Sequence, residues 1–198
     1  MKKLLFALTT IIVCSCAPAA LAQDESLITK FVKSATGSSD SQLGSLATTL
    51  TDKLKAFGGS LGDNPSVKGK LDDILKSLTG GKDSAALGHA FSLASSAKLT
   101  SSQMDLAKQV GNVASAFVVQ KNFSKLEGSQ TDVASIVNSL RDGKLTSIIS
   151  PLKNVASNAH LTDPQKNLLS VLTDKYAPGL KKAAGALDGI KKLPGFGK

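Results

Sequence analysis

The sequence predicts an all-α protein, a helical bundle or solenoid-like array of about eight to nine short helices that contains a duplicated three-helix unit. Three observations predict it. Apolar residues recur at helical spacing through nearly the whole chain. No stretch alternates apolar and polar residues as a half-buried strand does. The segment Leu99-Thr100-Ser101-Ser102-Gln103 returns 62 positions later as Leu161-Thr162-Asp163-Pro164-Gln165. At the same offset Ile74 meets Ile136, Ser77 meets Ser139 and Leu78 meets Leu140. Gly81-Lys82 meets Gly143-Lys144, Ala94-Ser95 meets Ala156-Ser157, Ala97 meets Ala159 and Leu106 meets Leu168. An ungapped match of this length is the mark of a repeated structural unit.

Met1-Lys2-Lys3, the apolar residues 4–13, Pro18 and Ala20-Leu21-Ala22 read as a secretory signal over residues 1–22, cleaved after Ala22. The apolar core is too short and wrongly flanked for a membrane span. Val13-Cys14-Ser15-Cys16 gives an alternative, a lipobox that would leave a lipoprotein anchored at Cys16. Both cysteines lie within this leader, so cleavage after Ala22 leaves a cysteine-free mature chain. Disulfides and thiolate chemistry are then excluded, and stability must come from the core.

Residues 23–179 read as one helical domain punctuated by glycine. Leu27, Ile28, Phe31 and Val32 make the first helix, ending at Gly37. Ser39 or Asp40 caps the second, with Leu43, Leu46, Ala47, Leu50, Leu54 and Phe57 on one face and Gly58-Gly59 as its stop. Asn64-Pro65 opens the third, an N-cap followed by proline. Val67, Leu71, Ile74, Leu75 and Leu78 form its face, and Gly80-Gly81 ends it. Asp83 is expected to cap the fourth, which carries Leu87, Ala90, Phe91 and Ala94. Thr100 caps the fifth. Met104, Ala107, Val110, Ala114, Phe117 and Val118 make it apolar around much of its circumference, which predicts a central place.

The second unit repeats the order. Thr131 is expected to cap a helix with Val133, Ile136, Val137 and Leu140, stopped at Gly143. Ile148, Ile149, Leu152, Val155 and Ala156 follow, with Pro151 in the first turns. Thr162 caps the last, with Leu168, Leu169, Leu172 and Tyr176. The duplicated units therefore span about 64–122 and 128–177. The tail, 180–198, carries Leu180, Ala183, Ala184, Leu187 and Ile190 at helical spacing, flanked by Lys181, Lys182, Lys191 and Lys192. A basic amphipathic helix of this kind suits an anionic membrane surface, and the bland alternative is a last helix packed on the bundle.

Composition narrows the function. The formal charge of +9 falls to +7 once Lys2 and Lys3 are removed, and residues 175–198 alone carry six Lys against Asp188. Arg141 is the only Arg, Tyr176 the only Tyr, and there is no Trp. A diffuse lysine field with few aromatic stacking platforms argues against specific nucleic-acid readout. Gly58-Gly59-Ser60-Leu61-Gly62 matches the nucleophile pattern G-x-S-x-G but follows a helix, where the strained strand-to-helix elbow is lacking. His89 and His160 have no ligand at metal-binding spacing. Asp72-Asp73 reads as the polar face of a helix. No catalytic residue, cofactor or metal is expected. Asn122-Phe123-Ser124 is a glycosylation sequon.

Leu-Thr-x-x-Gln is a helix start. Thr100 and Thr162 are N-caps, Gln103 and Gln165 reach back to close capping boxes, and Leu99 and Leu161 precede them as staples. Asp163 favours the positive helix end, and Pro164 costs nothing in the first turn. The two pentapeptides also resemble the LTxxQ signature of the Spy/CpxP-type periplasmic proteins, small helical envelope proteins that carry the motif twice. That resemblance implies an ATP-independent chaperone. Outside the pentapeptides this chain is Gly-, Ser- and Ala-rich and lacks long charge-dense helices. The residues themselves point to an exported, non-enzymatic binding or structural protein of the bacterial envelope, periplasmic or secreted. Its expected surface is an apolar helical seam rimmed by Lys. Its partner would be another protein or the envelope surface, with membrane contact through the tail.

Overall fold

The computed structural model describes residues 21–37, 40–61, 65–96 and 99–178. Among these residues the chain is all-helical. The helices are α1 (Leu21–Thr36), α2 (Ser41–Ser60), α3 (Pro65–Thr79), α4 (Asp83–Leu93), α5 (Ser101–Phe123), α6 (Gln130–Arg141), α7 (Ile149–Ala156) and α8 (Asp163–Tyr176). A 3-10 turn, Leu145–Ile148, leads into α7. The lipobox at Cys16 and the tail lysines Lys181, Lys182, Lys191 and Lys192 lie outside the described residues. Ala22 is the second residue of α1. No helix among the described residues is long and apolar enough to cross a membrane.

The centre is α5, as its wide apolar surface predicts. Every residue from 113 to 120 is buried, which covers more than two turns and leaves no face for water. Helices α2, α4, α6 and α8 pack around it. Phe31 of α1 reaches in to the Phe117 ring, 5.0 Å between centroids. One apolar cluster runs through the bundle, from Ile28 in α1 to Leu172 in α8.

The sequence repeat is a repeat of backbone hydrogen bonds. At the end of α3, Lys82 N donates to Ser77 O at 2.8 Å and Gly81 N to Leu78 O at 3.3 Å. At the end of α6, Lys144 N donates to Ser139 O at 2.8 Å and Gly143 N to Leu140 O at 3.2 Å. Each pair is a Schellman closure, and it needs a left-handed residue. Gly81 and Gly143 supply it, at φ +70° and +71°. The next helix also ends alike in both units. Ser95 N and Ser96 N bond to Ser92 O and Leu93 O, and Ser157 N and Asn158 N bond to Asn154 O and Val155 O. Matched residues thus turn the chain at the helix ends, and others, such as Ile74 with Ile136, are buried in the core.

Three expected helix ends differ. Gly58-Gly59 does not stop α2, which runs on to Ser60. A Cβ on Gly58 would meet Leu71 Cδ1 at 3.4 Å, so this turn is held by packing on α3. Asp83 is not the cap of α4. Lys82 holds that position, and Asp83 is the first helical residue with its carboxylate turned inward. Thr131 is exposed in the first turn of α6, and the boundary residue is Ser129, whose carbonyl accepts from Val133 N at 2.9 Å. Of the two candidates for α2, Asp40 is the cap, with Oδ1 accepting from Gln42 N and Leu43 N.

Candidate functional site

The polar chemistry of the described residues gathers on the last turn of α5, at Gln120, Lys121 and Asn122. An apolar helix that ends in three polar residues must hand them to water or to partners. Gln120 is buried, and its Nε2 donates to Asp40 Oδ2 at 2.8 Å. Lys121 Nζ lies 2.9 Å from Asp83 Oδ1, and Asn122 Nδ2 donates to Asp83 Oδ2 at 2.9 Å. The Asn122 carbonyl accepts from Gln165 Nε2 at 2.6 Å. Consecutive residues therefore hold the starts of α2, α4 and α8. Three positive helix ends meet one negative end, and two of the three present a carboxylate, which suits both dipoles and charges.

The two carboxylates sit differently. Asp83 is only 8% exposed, while the Lys121 side chain is 32% exposed, so this ion pair keeps one edge in water. Burial pushes the Asp40 carboxyl up. The hydrogen bonds from Gln120, Leu43 and Gln42 and the charge of Lys125 together outweigh it and hold the group below its ordinary value.

The two capping boxes are joined to this framework. Thr100 Oγ1 accepts from Gln103 N at 3.3 Å, and Gln103 Oε1 accepts from Thr100 N at 2.9 Å. Gln103 Nε2 donates to Ser60 O at 2.5 Å, at the end of α2. Gln165 Oε1 accepts from Thr162 N at 2.9 Å, and its Nε2 reaches the end of α5. Ser60 and Asn122 are themselves 62 positions apart. Each motif glutamine thus closes its own helix and ties it to the end of the helix three elements earlier. The second box is looser at the threonine, whose hydroxyl donates to Gln165 Oε1 at 3.1 Å.

A second polar cluster lies at the far end of α8. Tyr176 OH is 2.9 Å from Ser115 Oγ, and it donates toward Asn112 Oδ1 and Gly111 O at 3.2 and 3.4 Å. Burial pushes the phenol pKa up, against a smaller opposing effect of the Ser115 hydrogen bond. The Tyr176 ring meets Phe91 edge-on at 5.6 Å, and Lys175 Nζ sits 5.2 Å from the Phe91 centroid.

Of the other sequence candidates, Asn122 belongs to the α5 junction, Ser60 meets the first capping box through its carbonyl, and the rest lie apart from these clusters. Ser60 lies at the end of α2, and its hydroxyl donates to Phe57 O at 2.7 Å. His89 is half-buried on α4, and His160 is exposed before the α8 cap. Asp72 is half-buried and Asp73 exposed. Asn122 of the sequon is tied to Asp83 and to Val118 O at 2.8 Å. Among the described residues no three His, Cys, Asp or Glu side chains gather as a metal would require. The sequence marks Asn122 only as part of a sequon and Tyr176 only on the face of the last helix, and neither reads there as the anchor of a polar cluster. The signal available was Gln120-Lys121-Asn122 itself, an abrupt polar run after seven buried positions, 113–119.

Comparison with protein-family models, with curated proteins and with solved structures finds no match to this chain.

Proposed function

We propose that this is an exported, non-enzymatic binding or structural protein of the bacterial envelope that contacts an anionic surface or partner through its lysine-rich end. The observation that carries the reading is the α5 junction, where Asp40, Asp83, Gln120 and Asn122 are committed to helix ends. Such groups act as mortar between helices and supply no activated nucleophile or base. The sequence adds the secretory leader and the concentration of Lys in residues 180–198. Among the described residues the exposed large apolar side chains are Met104 and Ile149. That favours the tail over the helical body as the contact. The LTxxQ pentapeptides are accounted for by capping and stitching, so a chaperone role needs independent support, namely suppression of client aggregation without ATP.

Co-sedimentation with anionic and neutral vesicles tests the proposal, using the full chain and a form ending at Pro178. Binding of the full chain to anionic vesicles alone, weakened by salt and lost on truncation, is expected. Equal binding by both forms, or none by either, overturns membrane contact through the tail.

A further inference from the structure

We propose that Gln23, freed as the first residue when the leader is cut after Ala22, closes on its own α-amine to a pyroglutamyl lactam that caps α1. This rests on the secretory leader proposed above. The cut falls inside α1, which runs from Leu21 to Thr36. Removal of the leader therefore takes off the first two residues of the helix and leaves it beginning at a free amine. An α-ammonium is the wrong charge for that place. The unpaired backbone N–H groups of a first turn already make it the positive pole of the helix. Asp24 and Glu25, which follow Gln23, have the sign that suits this pole, and an ammonium beside them cancels part of what they contribute.

Glutamine in first place removes that charge by its own chemistry. The α-amine titrates near about 8, so part of it is neutral and nucleophilic at neutral pH. It attacks the side-chain amide carbon of the same residue, which the short side chain holds within reach. The N–Cδ bond forms, the Cδ–Nε2 bond breaks, and the amide nitrogen leaves as ammonia with the proton that the amine gives up. No oxidant, metal or second substrate is needed. The product is a neutral amide in place of a charge, as an acetylated terminus is. Neither Cys16 nor Asp24 as the first residue has an amide to close on. The helix so capped is part of the core: Ile28, Phe31 and Ala35 are buried, and the Phe31 ring meets Phe117 of α5. Loss of the amine also removes the group by which aminopeptidases grip a chain, which suits an exported protein.

The test begins with the exported chain, purified from cells that make the full sequence. Its mass should be that of residues 23–198 less about 17 Da, the ammonia lost. Stepwise sequencing should be blocked until pyroglutamyl aminopeptidase removes the lactam. A chain that starts at Gln23 and keeps its full mass and a free amine after days at physiological temperature overturns the closure and leaves the leader reading standing. A chain that starts elsewhere overturns both. The cap is tested apart from export, on residues 23–198 released from a removable tag with Gln23 first and then left to close. Amide hydrogen exchange in the first turns of α1 should be about two- to fivefold slower in the closed form than in the freshly released one, with α5 unchanged. Gln23→Ala, which cannot close, should show no slowing over the same incubation. Closure without slowing overturns the cap, and no closure in this arm overturns the proposal whatever the exported chain does.

Discussion

At the scale of the residue, the two LTxxQ copies differ in a way their sequences do not show. Thr100 makes a hydrogen bond to the Gln103 backbone, whereas the Thr162 hydroxyl turns to the Gln165 side chain. Thr100→Ala should therefore cost about 1 kcal/mol and Thr162→Ala less, measured by urea denaturation. The glutamines matter more. Gln103→Ala and Gln165→Ala each remove a reach-back bond and a tie to another helix, and each should cost about 1–2 kcal/mol. Asp83→Ala should cost about 2 kcal/mol, because it leaves the Lys121 ammonium and the Asn122 amide without their buried acceptor. The figure is below that of a fully buried pair because Lys121 reaches water. Asp40 gives a pH signature. Its carboxyl is held below the ordinary value of 3.8, so its contribution is fully present above that value and is lost as the pH falls through the lower folded value. The stability difference between wild type and Asp40→Asn should thus shrink as the pH falls below 3.8, and a constant difference there would show that the charge is not what holds Gln120.

At the scale of the element, glycines separate by the job they do. Gly81 and Gly143 hold left-handed turns that close α3 and α6. Gly81→Ala and Gly143→Ala should each cost about 1 kcal/mol. Gly59, Gly69 and Gly88 lie in helices with no atom near an added Cβ. Alanine at each should stabilise by roughly 0.5–1 kcal/mol, and thermal melts of the five variants check both signs. Helix faces were legible in the sequence because helical spacing reports burial directly, and the fold class followed from them. Ends were legible only where the cap is local. Gly58-Gly59 looks like a stop because a pair of glycines weakens any isolated helix, yet Leu71 packs over Gly58. Asp83 looks like a cap because acids favour helix starts, yet its partners sit 38 and 39 positions away in α5. The α5 junction is built wholly from such distant pairs, which periodicity does not reveal. Helix α4 shows the result. Asp83 stands at its positive end, and Lys70 of α3 reaches its negative end, bonding Ser96 Oγ at 2.8 Å.

At the scale of the molecule, the last described helix, α8, ends at Tyr176, and residues 180–198 add five lysines beyond it. Truncation after Pro178 should leave the melting temperature within a few degrees of the full chain, and a large drop would show that the tail packs into the core. The tie between Asp40 and Gln120 has a further consequence, in the order of time. The partners are 80 positions apart, and the leucines of α2 face α5, so α2 has no finished seat until residue 123 or so has been made. At roughly 5–20 residues per second that wait is on the order of 4–16 s. During that interval the front of the chain is still pliable. If the chain is exported as proposed, such lateness is an advantage, since a channel passes an unfolded thread and would jam on a finished bundle.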